Sequence, residues 1–155
     1  MVDLVEWLRA QLDEDERIAR AAGGASWEEL PVSGWVHTTP LPASEWQPPG
    51  YDHHVASAPL VEDRAHIVTH DPARVLREID AKRQLLNDHP IVPRTIEPTV
   101  INGEEIGGPH FPFGCQNCHA VHDTSEVYGF GYCFTVKVLA LPYADRPGYR
   151  EEWRP

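Results

Sequence analysis

Three cysteines constrain this 155-residue chain more than any other residue type. Cys115 and Cys118 enclose Gln116 and Asn117, and Cys133 follows after fourteen further residues. An odd count containing one tight pair is a poor disulfide framework and a good fragment of a metal site. Three thiolates need one more donor to complete a tetrahedral zinc, and nine histidines are available to supply it. His89, which closes a helix read below, is the favoured fourth ligand, and His122 comes next. His119 directly follows a ligand and would need a sharp turn, while His110 sits in a proline-constrained stretch before Pro112. A site of four protein donors leaves no open position, so the zinc expected here is structural rather than catalytic.

Such a metal answers a weakness in the composition. Fifteen prolines and eleven glycines make several segments loops and predict a modest core. The length suits one domain spanning 1–155. Net charge is −11, from 24 acidic and 13 basic residues. That balance argues against direct nucleic-acid binding, which calls for a basic patch, and against anionic membranes. No apolar run approaches the ~20 residues of a membrane span. Asp3 and Glu6 interrupt the apolar pattern of the first twelve residues, unlike a secretory signal. The expected compartment is the reducing cytoplasm, where paired cysteines bind metal more often than they form bridges.

Residues 3–22 read as an amphipathic helix, with Leu4, Val5, Leu8, Leu12, Ile18, Ala19 and Ala22 on one face and Gly23-Gly24 as its end. Residues 25–60 are proline-rich and irregular, with short extended pieces near 33–38 and 54–60. Their tryptophans, Trp27, Trp35 and Trp46, are expected to be core anchors. A short helix over 62–69 precedes a longer one capped by Asp71 with Pro72 at its first position. Val75, Leu76, Ile79, Leu86 and the stem of Arg83 form its inner stripe, and Glu78 is spaced to pair with Lys82. Thr99 to Ile106 carries the Asn102-Gly103 signature of a tight hairpin. Residues 130–141 read as a short apolar helix, with a strand as the alternative. Tyr143, Tyr149 and Trp153 mark a tail that packs as a clip or a turn, with some of these aromatics expected to anchor a partner.

Other constellations are weaker. Cys115 to His119 matches the c-type haem pattern, but that chemistry needs export, and the chain's single methionine is Met1. His66 and His70 have the spacing of a metal-binding helix face, but Ile67 stands where a zinc protease carries its glutamate. With Asp63 or Asp71 they would still make a small metal-dependent enzyme conceivable. No nucleophile elbow, phosphate loop or dinucleotide fingerprint appears.

Three segments together carry a resemblance: Asp3-Leu-Val-Glu-Trp-Leu-Arg9, His66-Ile-Val-Thr-His-Asp-Pro-Ala-Arg-Val-Leu-Arg-Glu78 with Ala81-Lys-Arg83, and Leu139-Ala-Leu-Pro-Tyr-Ala-Asp145 through to Trp153. The chain resembles a family of small uncharacterised proteins of actinobacteria and their phages. The resemblance matches His89 to a histidine after the Ala-Lys-Arg element, Cys133 to a cysteine opening the last helix, and Cys115 and Cys118 to a pair ahead of it. It implies an architecture and no activity. The reading is therefore an α+β domain of about three helices with short strands or hairpins, held by a structural zinc at Cys115, Cys118, Cys133 and His89. The expected role is non-enzymatic binding or adaptor work with a protein partner. The alternative is the enzyme built on His66 and His70.

Overall fold

The computed structural model describes residues 3–30, 34–39, 54–93, 99–101, 104–106, 113–118 and 131–155. In chain order the elements are α1 (Leu4–Ala21), β1 (Ser26–Leu30), β2 (Trp35–Thr39), β3 (His54–Ser57), α2 (Val61–Thr69), α3 (Pro72–Asp88), β4 (Ile91–Pro93), β5 (Thr99–Ile101), β6 (Glu104–Ile106), β7 (Phe113–Cys115) and α4 (Phe134–Ala140). Two 3-10 turns follow, at Leu141–Tyr143 and Glu151–Trp153. The class is α+β, with four α-helices among the described residues. Internal contacts gather into two compact units, Met1–Gln11 with Lys82–Pro155, and Leu12–Ala81. The helices α1 and α3 each contribute residues to both.

Helix α1 follows its apolar stripe. Leu4, Trp7, Leu8, Leu12 and Ala19 are buried; burying a leucine of this kind contributes roughly 1.5–3 kcal/mol. Ile18, expected on that stripe, is instead half exposed. Gly23 and Gly24 both have positive φ, and their N–H groups close the helix on the carbonyls of Arg20 and Ala19.

In the unit of residues 12–81, β1, β2 and β3 form an antiparallel sheet in that order. The strand β1 falls where an irregular stretch is expected. Its Glu28-Glu29 breaks the alternation of apolar residues, and it becomes a strand through its pairing with β2, from Ser26 opposite Thr39 to Leu30 opposite Trp35. Two buried charges tie the helices to this sheet. Arg64 of α2 is 8% exposed; its Nε meets Glu29 Oε1 at 2.7 Å, and it donates to the carbonyls of Ala58 and Pro59. Asp71 caps α3 as the sequence predicts, its Oδ1 accepting the Arg74 N–H at 2.6 Å, while Oδ2 accepts the N–H of Trp27 on β1. Glu78 does not take Lys82: it pairs with Arg74 at 2.7 Å. Trp35 is partly exposed and Trp27 half-buried, so neither is the deep anchor expected, and Trp46 lies outside the described residues.

In the other unit, β5 and β6 pair antiparallel around the Asn-Gly step, which itself lies outside the described residues. The segment 130–141 resolves in favour of the helix, α4, whose Val136 and Ala140 are buried. The tail packs on the protein itself. Trp153 and Tyr143 are buried, so these two aromatics, expected as candidates for partner anchors, serve the core instead. Trp7 of α1 meets Trp153 and Tyr149 with ring centroids 5.4 and 5.7 Å apart, and its Nε1–H donates to the Pro147 carbonyl. Lys82 donates to the Tyr143 hydroxyl at 3.1 Å.

Candidate metal centre

The centre is assembled by one strand pairing. β4 runs antiparallel to β7, with Ile91 opposite Cys115 and Pro93 opposite Phe113. Continuing that register places His89 level with the turn between Cys115 and Cys118. Two bonds fix the extension: the Gln116 N–H donates to the Pro90 carbonyl at 2.9 Å, and the Asn117 side-chain amide donates to the Asp88 carbonyl. A helix end and a cysteine turn far apart in sequence are thereby held side by side.

Cys133 arrives by a second route. The Gly131 N–H donates to the Phe113 carbonyl at 2.8 Å, and Gly131 bridges Gly114 on the side away from β4. Gly114 is therefore extended and flanked by backbone on both sides. Cys133, two residues on, is the extended N-cap of α4. Tyr132 next to it is anchored at α1: its hydroxyl donates to Asp3 Oδ2 at 3.0 Å and accepts the Leu4 N–H at 3.1 Å. Burial, with help from the Asp3 carboxylate, pushes the Tyr132 hydroxyl's pKa up, which keeps it a donor. Asp3 Oδ1 meanwhile accepts the Val5 N–H. Asp3, Asn117 and Tyr132 are supporting residues that sequence reasoning missed. The one available signal was Asp3 three residues before Glu6, a helix-start pattern.

The three sulfurs surround a single ring nitrogen. His89 Nδ1 lies 3.6 Å from Cys115 Sγ, 3.3 Å from Cys118 Sγ and 3.7 Å from Cys133 Sγ. All four donor atoms fall within 4.8 Å of one another. One imidazole nitrogen carries at most one hydrogen, so it cannot satisfy three thiols by hydrogen bonding. Four donors converging on one point can hold a metal ion. Cys115 is buried, His89 and Cys133 half-buried, and Cys118 exposed.

The acidities fit a site short of positive charge. Burial pushes the Cys115 thiol up, but the Cys118 and Asn117 N–H groups and His89 outweigh it and bring its pKa down to about 7. Burial and the neighbouring Cys115 sulfur then push Cys118 up to about 12, and burial raises Cys133 as well. Three thiolates cannot share this volume unaided, and a bound cation inverts that logic by favouring every thiolate.

The other sequence candidates separate from this centre. His110, His119 and His122 lie outside the described residues. His66 and His70 sit at the end of α2 in the other unit. Of the two carboxylates offered for them, Asp71 is committed to the Arg74 and Trp27 N–H groups, and Asp63 is exposed on α2. Among the described residues, the cysteine–histidine cluster is the one grouping of three or more such donors.

Fold and site define a small α+β protein with a three-cysteine, one-histidine centre able to hold a metal ion. The chain belongs to the family of unknown function DUF6221, whose profile matches residues 1–155. No curated protein and no solved structure matches it. No helix among the described residues is long and apolar enough to cross a membrane.

Proposed function

We propose that this is a zinc-stabilised binding or adaptor protein with no catalytic turnover of its own. The observation that supports this most is the closed donor set. Tetrahedral zinc, with Zn–S about 2.3 Å and Zn–N about 2.0–2.1 Å, sets its sulfur and nitrogen ligands roughly 3.5 Å apart. The three sulfur-to-nitrogen distances of 3.3, 3.6 and 3.7 Å bracket that value. Four protein donors occupy all four positions, so water and substrate have no place on the ion. The zinc orders the turn at 115–118 and the start of α4 instead.

That helix carries the surface that suits a protein partner. Phe134, Val138 and Leu141 are 72%, 40% and 40% exposed, at i, i+4 and i+7 along one face. Isolated exposed apolar residues are ordinary, but three aligned beside the metal ligand form a stripe of the kind that contacts a partner.

Cobalt substitution tests the closed site. A Co(II) protein of this type is expected to show thiolate charge-transfer bands that azide or cyanide leave unchanged. A spectral shift on adding either anion would reveal an open position and favour the enzyme. The binding role predicts a partner retained by immobilised wild type and lost with Phe134→Ser and Val138→Ser, both folded and zinc-loaded. A metal-dependent hydrolysis abolished by His66→Ala or His70→Ala would replace this reading with the enzymatic one.

A further inference from the structure

His66 and His70 lie one helical turn apart at the end of α2, and both side chains are exposed. Residues four apart share a helix face, so the two rings emerge side by side. Their centroids are 4.2 Å apart and their planes are tilted by 35°.

The hydrogen bonding of His70 gives the pair a chemical direction. His70 Nδ1 lies 2.9 Å from the main-chain oxygen of His66. A carbonyl oxygen only accepts, so in the bonded ring Nδ1 carries the hydrogen and Nε2 of the neutral imidazole keeps its lone pair. Donation of one ring N–H to a backbone carbonyl fixes the tautomer and orientation of metal-bound histidines and strengthens the other nitrogen as a ligand. His70 also lines a mostly apolar pocket of about 330 Å³ with Asp15, Ile18, Trp27, Pro72 and Val75.

The nearest carboxylate in sequence, Asp71, is occupied with backbone N–H groups. Two imidazoles with a shared outward face can both donate to one cation.

We propose that His66 and His70 form a second metal site, a two-imidazole clip for a divalent transition cation. Its remaining coordination positions stay open to water or to an external ligand, since no third donor joins the pair among the described residues. Imidazole suits copper, nickel and zinc, with copper(II) bound most strongly among divalent ions. The clip lies within residues 12–81 and does not depend on the zinc reading of the cysteine centre.

The test uses the full, untagged, zinc-loaded chain as wild type, His66→Gln, His70→Ala and, as a control, His54→Ala. Copper(II) is titrated against a weak competing amino-acid chelator. Electron paramagnetic resonance reads the ligands, and zinc retention is followed in parallel. The first copper equivalent should show two imidazole nitrogens. Two ligands preorganised on one turn should hold it at least about tenfold more tightly than either single-histidine variant. His54→Ala should match wild type. Untagged wild type should also be retained on immobilised nickel and lose that retention in both clip variants. Copper affinity and the two-nitrogen spectrum surviving His66→Gln or His70→Ala would overturn the proposal, as would copper binding that displaces zinc and ignores these substitutions. Circular dichroism confirms that the variants keep their helices, as exposed substitutions should.

Discussion

The two compact units close their loops with different chemistry. In residues 12–81, buried side chains of the chain itself finish the job: Arg64 gathers Glu29 and the carbonyls of Ala58 and Pro59, and Asp71 holds the start of α3 to β1. In residues 1–11 and 82–155, stacked aromatics secure the tail, but the join between β7, β4 and α4 centres on three thiols around one imidazole nitrogen. Every bond that Arg64 makes is complete with protein atoms alone. The sulfur cluster has the donors to hold a metal ion. On the zinc reading proposed above, a proline-rich chain with a modest core is held by internal polar struts in one place and by an imported ion in another, and the two respond to different perturbations.

Metal removal should separate the units most sharply. Structural zinc contributes an apparent 10–16 kcal/mol, roughly, in small zinc-dependent folds at neutral pH. Stripping it should abolish amide-exchange protection in β4, β7 and α4 while β1, β2 and β3 keep theirs. Exchange with and without a strong chelator reads this directly. Simultaneous loss across all strands would erase the contrast. Because the thiols must lose protons to bind, metal affinity should also fall as pH is lowered.

Arg64→Ala probes the other unit. It leaves the Glu29 carboxylate and two carbonyls without their donor, and removing one partner of a buried ion pair costs about 3–5 kcal/mol. Urea melts of the metal-loaded variant should show that loss with zinc content unchanged. A cost under about 1 kcal/mol, the scale of exposed ion pairs, would mean that strand pairing alone holds the sheet.

Gly148→Ala should be felt at the aromatic tail. Gly148 has φ +89°, and a Cβ there would lie 2.9 Å from Trp7 Nε1. Strain of this kind costs about 1–3 kcal/mol, and tryptophan fluorescence should shift with the lowered melting temperature. An unchanged melt would show that the tail can be displaced without loss.

The smallest effect is expected at the α3 cap. Asp71→Ala should cost about 0.5–2 kcal/mol, towards the upper end because Trp27 also loses its acceptor. Asp71→Asn should recover only part of it, since its single amide oxygen can cap α3 while its NH2 cannot accept the Trp27 N–H. Equal losses in both variants would show that the cap bond contributes little beside the bond to Trp27.

Much of this was legible where the deciding physics is local. The apolar spacing of α1 and α3, the Asp71-Pro72 start and the Gly23-Gly24 stop all act within a turn or two of chain, and each appears where the sequence puts it. The cysteine set was legible because thiols at this spacing have few other uses in a chain without a disulfide framework. Local rules misled at Glu78, where Lys82 and Arg74 are both four residues away. The choice fell to Arg74, and Lys82 bonds the Tyr143 hydroxyl instead.

By itself, then, the sequence determined the helices, the α+β class and the donor types of the candidate metal centre, because periodicity, capping and ligand chemistry are properties of neighbouring residues. Tertiary structure decided that His89 faces the sulfurs, that Ser26–Leu30 is a strand, that Arg64 is buried, and that Trp153 lies against Trp7. Each of these depends on a partner distant in sequence. The pairing of β4 with β7 brings His89 to Cys115 and Cys118, and only the folded chain fixes that register.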